Sequence, residues 1–297
     1  MLSEFKLIDV IKRKAAFRPD VVVGIGDDTA VLPHSSSKYL LLTTDMTAQG
    51  VHFKKGAKAA GIGHKALARN ISDIAAMGGM PTYAVVSIGL PKRTPQTFVD
   101  GLYMGINTLA RRFKVAVVGG DTIASPHLVV NIALLGEVKK KDLVLRSGAK
   151  GGDWIFVSGP LGRAWKTDKH LAFTPRVREA RFLVERFKPN AMIDISDGLA
   201  GDLGHILEQS RVGAVLFEEQ IPRNAGANLR DALYDGEDFE LLFTLSPAKA
   251  KALLSWQEKR RRWFFYPVGE ITKASGLRLL KADGGTESLK IKGFTHF

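Results

Sequence analysis

This sequence predicts a mixed α/β (or α+β) protein built in two halves, and three observations carry that prediction. Short apolar runs of strand length alternate with longer stretches of helical period along the whole chain. A polar, basic, glycine-containing stretch, KKKDLVLRSGAKGGD (139–153), interrupts the pattern near the middle. The 297 residues, 45% hydrophobic and 25% charged, are enough to bury two cores. The expected division is 1–138 for an N-terminal domain and 139–297 for a C-terminal one.

The elements follow in order. Residues 21–32 read as a strand entering a glycine turn, and YLLLTTDM (39–46) is a second apolar run with a polar end. From Gly63 to Met77 the period becomes helical: Leu67, Ile71, Ile74 and Ala75 fall at i, i+4, i+7 and i+8, one buried stripe. Gly78, Gly79 and Pro81 stop that helix. Asn70, Asp73 and Met77 run beside the stripe, so Asp73 can face a site at its margin. Residues 83–90 read as a strand, 95–113 as a helix, and 115–121 and 127–138 as strands. In the second half WIFVSG (154–159) opens a strand, 176–187 form a helix, and AMIDISDGL runs from a strand end into a helix over 199–210. GAVLFEE, ELLFTL and WFFYPVGEI add strands, with Phe264 and Phe265 expected in the core, and 246–258 add a helix.

Composition narrows the chemistry. The absence of cysteine excludes disulfides, thiolate metal sites and thiol catalysis. MLSEFKLIDVIKRK lacks the apolar stretch of a secretory signal, and no run of 18 apolar residues occurs. The expectation is a cytoplasmic protein with no membrane partner. The 43 Lys and Arg exceed the 30 Asp and Glu, so anionic partners are favoured. Lys139–Lys141 and Lys259–Arg262, the latter followed by Trp263, could serve a nucleic acid. That reading leaves a set of ordered acidic motifs unexplained and is set aside.

Those motifs are the most informative feature. Acidic residues recur where apolar runs end: Asp27 and Asp28 in GIGDD, Asp45 after Thr43 and Thr44, Asp73 after Ser72, Asp121 in GGDT, Asp194 and Asp197 in DISDG, then Glu237 and Asp238 in DGEDFELLF. Each has Gly, Ser or Thr beside it. Small neighbours let a ligand approach the backbone, and hydroxyls join an oxygen-rich metal shell. Gathered at strand ends, these carboxylates would need hard divalent cations such as Mg²⁺, which would bridge them to an acidic ligand. No P-loop, kinase HRD/DFG set or HExxH is present.

GIGDD (24–28), TTDMTAQGVHF (43–53), KALARNISDIAAMGGMP (65–81), GGDT (119–122), RSGAKGGDWIFVSG (146–159), IDISDGLAGDLGHI (193–206), GEDFELLF (236–243) and KGFTHF (292–297) together resemble the thiamine-monophosphate kinases, in that family's order. The resemblance implies the two-domain fold of the aminoimidazole-ribonucleotide synthetase superfamily, a homodimer paired through its N-terminal sheets, and direct in-line transfer from ATP, the co-substrate, to thiamine monophosphate. It implies several Mg²⁺ ions, held by Asp28, Thr43, Thr44, Asp45, Asp73, Asp121, Asp194 and Asp197, and leaves room for K⁺. Asp45, Asp73, Asp121 and Asp197 are the catalytic candidates. Tyr103, Gly120, Asp121, Arg146 and Ser196 match ATP-contacting positions, and His52, Glu237 and Phe294 match substrate-contacting ones.

The chain departs from that family's pattern on the acceptor side. Only twelve residues separate Gly162 from Pro175, where a longer loop and helix are expected. DGED stands for GGED, and Phe294 for a tyrosine or tryptophan. The alternative is a sibling kinase or synthetase acting on another phosphorylated acceptor. The selenophosphate and hydrogenase-maturation relatives need a cysteine that this chain lacks.

Overall fold

The computed structural model describes residues 4–16, 18–260 and 263–293. A charged helix α1 (Glu4–Lys14), which the sequence reading did not anticipate, precedes the first sheet. That sheet contains β1 (Ala30–Pro33), β2 (Lys38–Ala48), β3 (Met80–Leu90), β4 (Ala116–Ala124) and β5 (Val129–Lys139), in the order β1-β2-β5-β3-β4. β3 and β4 are parallel and the other pairs antiparallel. The expected strand over 21–32 is mostly loop, because Gly26 takes a positive φ and the two aspartates turn the chain.

Helices α2 (Ala59–Ala76) and α3 (Gln96–Phe113) connect β2 to β3 and β3 to β4. The stripe Leu67, Ile71, Ile74 and Ala75 is buried as its spacing predicts. It packs with Ile132, Leu134 and Val138 of β5, whose buried residues alternate along the strand. The two helices approach closely through glycines. A Cβ on Gly63 would lie 2.0 Å from the Leu102 carbonyl, and one on Gly105 would lie 1.9 Å from that of Ala60. The opposite face of the sheet has no helix among the described residues. Leu42, Met46, Tyr83 and Val85 are exposed there, with Ile123 on the edge strand β4.

The second sheet holds β6 (Trp154–Val157), β7 (Ala191–Asp194), β8 (Gly213–Phe217), β9 (Leu241–Leu245), β10 (Tyr266–Thr272), β11 (Gly276–Leu280) and β12 (Thr286–Ser288), ordered β12-β11-β8-β10-β6-β9-β7. Residues of β6, β7 and β9 alternate between two cores. Phe156, Met192 and Phe243 join the core of the first half, together with α4 (Val177–Arg186). Ile155, Ile193 and Leu242 join the other core, with α5 (Leu199–Ser210) and the short α6 (Leu229–Tyr234). Helix α7 (Pro247–Arg260) follows β9. Phe264 departs from expectation: it is exposed and precedes β10, while Phe265 is buried. No helix among the described residues is long and apolar enough to cross a membrane.

Helix α2 is the element shared by both halves, touching β2, β5, α3, α4 and β7. Its two faces divide the work. Opposite the apolar stripe, Lys65, Arg69, Ser72 and Asp73 repeat the same i, i+4, i+7, i+8 spacing and make polar contacts.

Candidate active site

Asp28 from the glycine loop, Asp73 from α2 and Asp194 from the end of β7 each bring a carboxylate oxygen within 4.8 Å of the others. Thr43 Oγ1 donates to Asp73 Oδ2 at 2.6 Å, and Ser72 Oγ donates to Asp194 Oδ2 at 2.5 Å. Arg146 donates from Nη2 to Asp28 Oδ1 at 2.7 Å and from its backbone N–H to Asp27 Oδ2 at 3.2 Å. Arg69 Nη2 donates to Asp45 Oδ1 at 3.2 Å.

Two guanidinium groups do not balance five carboxylates. Burial, then the charges of Asp45, Asp194 and Asp28, holds the Asp73 carboxyl well above the usual range. Burial, then Asp28, pushes Asp27 and Asp194 up to about 7. Asp28 Oδ2 is buried with no hydrogen-bond partner. Mutually repelling buried carboxylates, an orphaned oxygen and nearby hydroxyls form an all-oxygen donor set, which suits a hard divalent cation.

A cleft of about 590 Å³ adjoins this cluster, lined by His52, Arg69, Trp165, Ser196, Asp197 and Glu237 among others. Its far wall is the 236–239 loop. The Glu237 and Phe239 amides donate to the carbonyls of Ser196 and Ile195, both at 2.7 Å. Glu237 and Phe239 take positive φ of 71° and 52°, a strained conformation for residues with side chains. Gly236 is required because a Cβ would lie 2.2 Å from the Ser196 carbonyl. The carboxylates of this motif then separate in role. Glu237 lines the cleft. Asp238 accepts from the Gly162 amide at 2.7 Å. Glu240 is buried in a two-pronged pair with Arg176 at 2.7 and 2.5 Å.

Lys65 joins the cleft walls. Its fully buried ammonium donates to the His52 carbonyl at 2.6 Å and to His170 Nδ1 at 2.8 Å, and pairs with Glu237 Oε2 at 2.7 Å. The ammonium is thus held by two hydrogen bonds and one ion pair. The Ala48 amide donates to His52 Nδ1 at 3.1 Å, so His52 carries its ring proton on Nε2. Asp197 forms a second group with Asp202 and His205, their ligand atoms within 4.8 Å. Asp202 Oδ2 accepts the amides of Asp197 and Gly198, fixing the start of α5.

Other expected residues lie elsewhere. The two-residue period of β2 turns Thr44 away from Thr43 and Asp45. Its hydroxyl reaches Asn131 Oδ1 at 3.1 Å on the helix-free face. Asp121 is exposed on the same face, paired in register with Ser87, which is itself opposite Asn131. Gly120 lies within β4 rather than in a turn, where a Cβ would meet the Val86 carbonyl at 1.8 Å. Tyr103 packs its half-buried ring against the first core. Phe294 lies outside the described residues. Gly293 does line the cleft, too close to Asp197 for a Cβ. Sequence reasoning missed Lys65, Arg69 and Trp165. The first two share the helical row of Asp73, and that periodicity was the available signal.

Profiles of the AIR synthase related protein match residues 26–138 with the N-terminal domain and 151–281 with the C-terminal domain. The thiamine-monophosphate kinase of Bacillus subtilis (strain 168) is 33% identical over 329 aligned residues, covering all of both chains. That of Aquifex aeolicus (strain VF5) is 32% identical over 325, covering all of this chain and 98% of its own. The solved structure described as AaThiL complexed with AMPPCP and TMP superposes with a TM-score of 0.86 at 31% identity, covering all of this chain and 97% of that one. Alignments longer than the 297 residues present here mean that these relatives carry stretches this chain lacks. On this similarity along its full length, the chain belongs to the AIR synthase-related proteins and, within them, to the thiamine-monophosphate kinase family.

Proposed function

We propose that this protein transfers the γ-phosphoryl group of ATP directly to the phosphate of thiamine monophosphate, giving thiamine diphosphate and ADP. The observation that carries the reading is the carboxylate cluster beside a cleft walled by His52 and Glu237. The solved relative binds AMPPCP, an ATP analogue, and TMP on the same fold. The attacking atom is a phosphate oxygen that is already ionised near neutral pH, so no strong general base is needed. The barrier lies in aligning two polyanions.

This chain's residues address that barrier in separate ways. Asp28, Asp73 and Asp194, with Thr43 and Asp45, would hold Mg²⁺, which when bound supplies positive charge between the two phosphates. Arg146 is anchored on Asp27 and Asp28 and keeps that loop in place for the nucleotide. His52 offers an Nε2–H to the acceptor phosphate, and Glu237 faces the cationic thiazolium. Ser196 and Asp197 also line the cleft.

The outer face of the first sheet is read as a homodimer interface. It combines exposed Leu42, Met46, Tyr83 and Val85 with a free β4 edge, a combination that monomers rarely leave open. Thr44 and Asp121 lie on that face and Gly120 on the β4 edge, so their part in the nucleotide site depends on the second copy. The setting is the cytoplasm, which supplies ATP and where a cysteine-free chain has no redox liability. Incubation with ATP, Mg²⁺ and thiamine monophosphate should give thiamine diphosphate, and chelation should abolish it. Absence of product from folded, metal-replete protein would reject the assignment, and a panel of other phosphomonoesters would then define the acceptor.

A further inference from the structure

The connection between Gly162 and Pro175 is short, yet it is fixed at both ends. At its start the Gly162 amide donates to Asp238 Oδ2, and Asn224 Nδ2 donates to the Gly162 carbonyl at 2.7 Å. At its end His170 is buried, and Arg176 is clamped on Glu240. Between these anchors lies Trp165, half-buried and lining the cleft with His52, Glu237 and Phe239. No element of the mechanism above uses it.

The indole is well supported. It stacks on the His170 ring at 4.7 Å between centroids and 25° between planes. His170 is held by Lys65 through Nδ1, and burial followed by the charges of Lys65 and Lys54 pushes its pKa down to about 3, so the stacked imidazole is neutral. Lys65 Nζ lies 5.5 Å from the indole centroid and Lys54 Nζ 5.8 Å. Lys65 is locked by its three partners, whereas Lys54 is exposed and free to leave. An electron-rich ring that already draws an ammonium, across a cleft that holds a carboxylate, suits a flat organic cation.

We propose that Trp165 is a specificity-determining wall of the acceptor subsite, where its indole face receives a cationic heteroaromatic ring in the place that Lys54 vacates. The inference rests on the acceptor reading above, since the thiazolium of thiamine monophosphate is such a ring. It assigns Trp165 a contact in binding and no part in phosphoryl transfer.

The other tryptophans provide a background for the test. Trp154 stacks beside Phe156, and Trp256 and Trp263 pack on Phe182; none lines the cleft. Titration of the full chain with thiamine monophosphate should quench intrinsic fluorescence saturably, and Trp165→Phe should remove most of that signal. In steady-state assays Trp165→Phe should keep the KM for thiamine monophosphate within about threefold. Trp165→Leu and Trp165→Ala should raise it roughly tenfold or more, leaving the KM for ATP and kcat within about threefold. An unchanged KM in the folded leucine variant, or quenching that persists in Trp165→Phe, overturns the inference while wild-type turnover keeps the kinase reading intact. Failure of the wild-type protein to phosphorylate thiamine monophosphate overturns the kinase reading and this one with it.

Discussion

At the residue scale, the site is a set of charges that the fold alone does not satisfy. Asp73 is in clear conflict with its surroundings, since Asp45, Asp194 and Asp28 all repel it in a buried setting. Thr43 and the nearby Arg69 relieve this only in part. Asp73→Asn keeps the shape and removes one repelling charge. It should lower turnover at least about 100-fold while raising the melting temperature of the metal-free protein by roughly 2–4 °C, the shift expected for about 1 kcal/mol in a chain of this size. Calorimetry in chelator, paired with the thiamine diphosphate assay, checks both halves, and near-normal turnover would remove Asp73 from the metal site.

At the element scale, helix α2 determines where the chemistry goes. Its apolar stripe sits on the first sheet, and its opposite row carries Lys65 and Ser72 to Glu237 and Asp194 of the second half and Arg69 and Asp73 to Asp45 and Thr43 of β2. This placement depends on the close approach of α3, which two glycines permit. Gly105→Ala would drive a methyl group into the Ala60 carbonyl, and backbone cannot yield as a flexible side chain does. Urea unfolding should show a loss of about 1–3 kcal/mol. The same shift would carry Lys65 away from Glu237, so the KM for thiamine monophosphate should rise as well. Wild-type stability in that variant would mean that the two helices slide freely and that α2 does not position the site.

At the scale of the whole molecule, pH and assembly are the measurable consequences. Asp27 and Asp194 are raised to about 7 in the folded protein, against about 4 for an ordinary aspartate, so the native state binds more protons than the unfolded one in that range. Stability of the metal-free protein should therefore fall as pH rises from about 4 to 7, and Mg²⁺ should restore it. The Mg²⁺-induced rise in melting temperature should be larger at pH 8 than at pH 5.5; an equal or smaller rise at pH 8 would contradict a cation held by these carboxylates. Sedimentation should find a dimer, and Leu42→Glu with Val85→Glu should give a monomer with strongly reduced turnover; an unaltered dimer would place the interface elsewhere. Much of this was legible from one dimension. The period of Leu67, Ile71, Ile74 and Ala75 established α2 and its buried face, because side-chain direction along a helix follows from spacing alone. The acidic motifs pointed to a carboxylate cluster, and Asp28, Asp73 and Asp194 do form one. The helix α1, the strands β11 and β12 and the exposure of Phe264 were not legible, since short or charged segments carry little periodic signal. Only the folded chain decided which carboxylates meet. Asp28, Asp73 and Asp194 converge from distant segments, while neighbouring Thr43 and Thr44 part to opposite faces. Sequence fixes chemistry and local direction, but convergence depends on how strands register and helices cross, which is settled by packing over long separations.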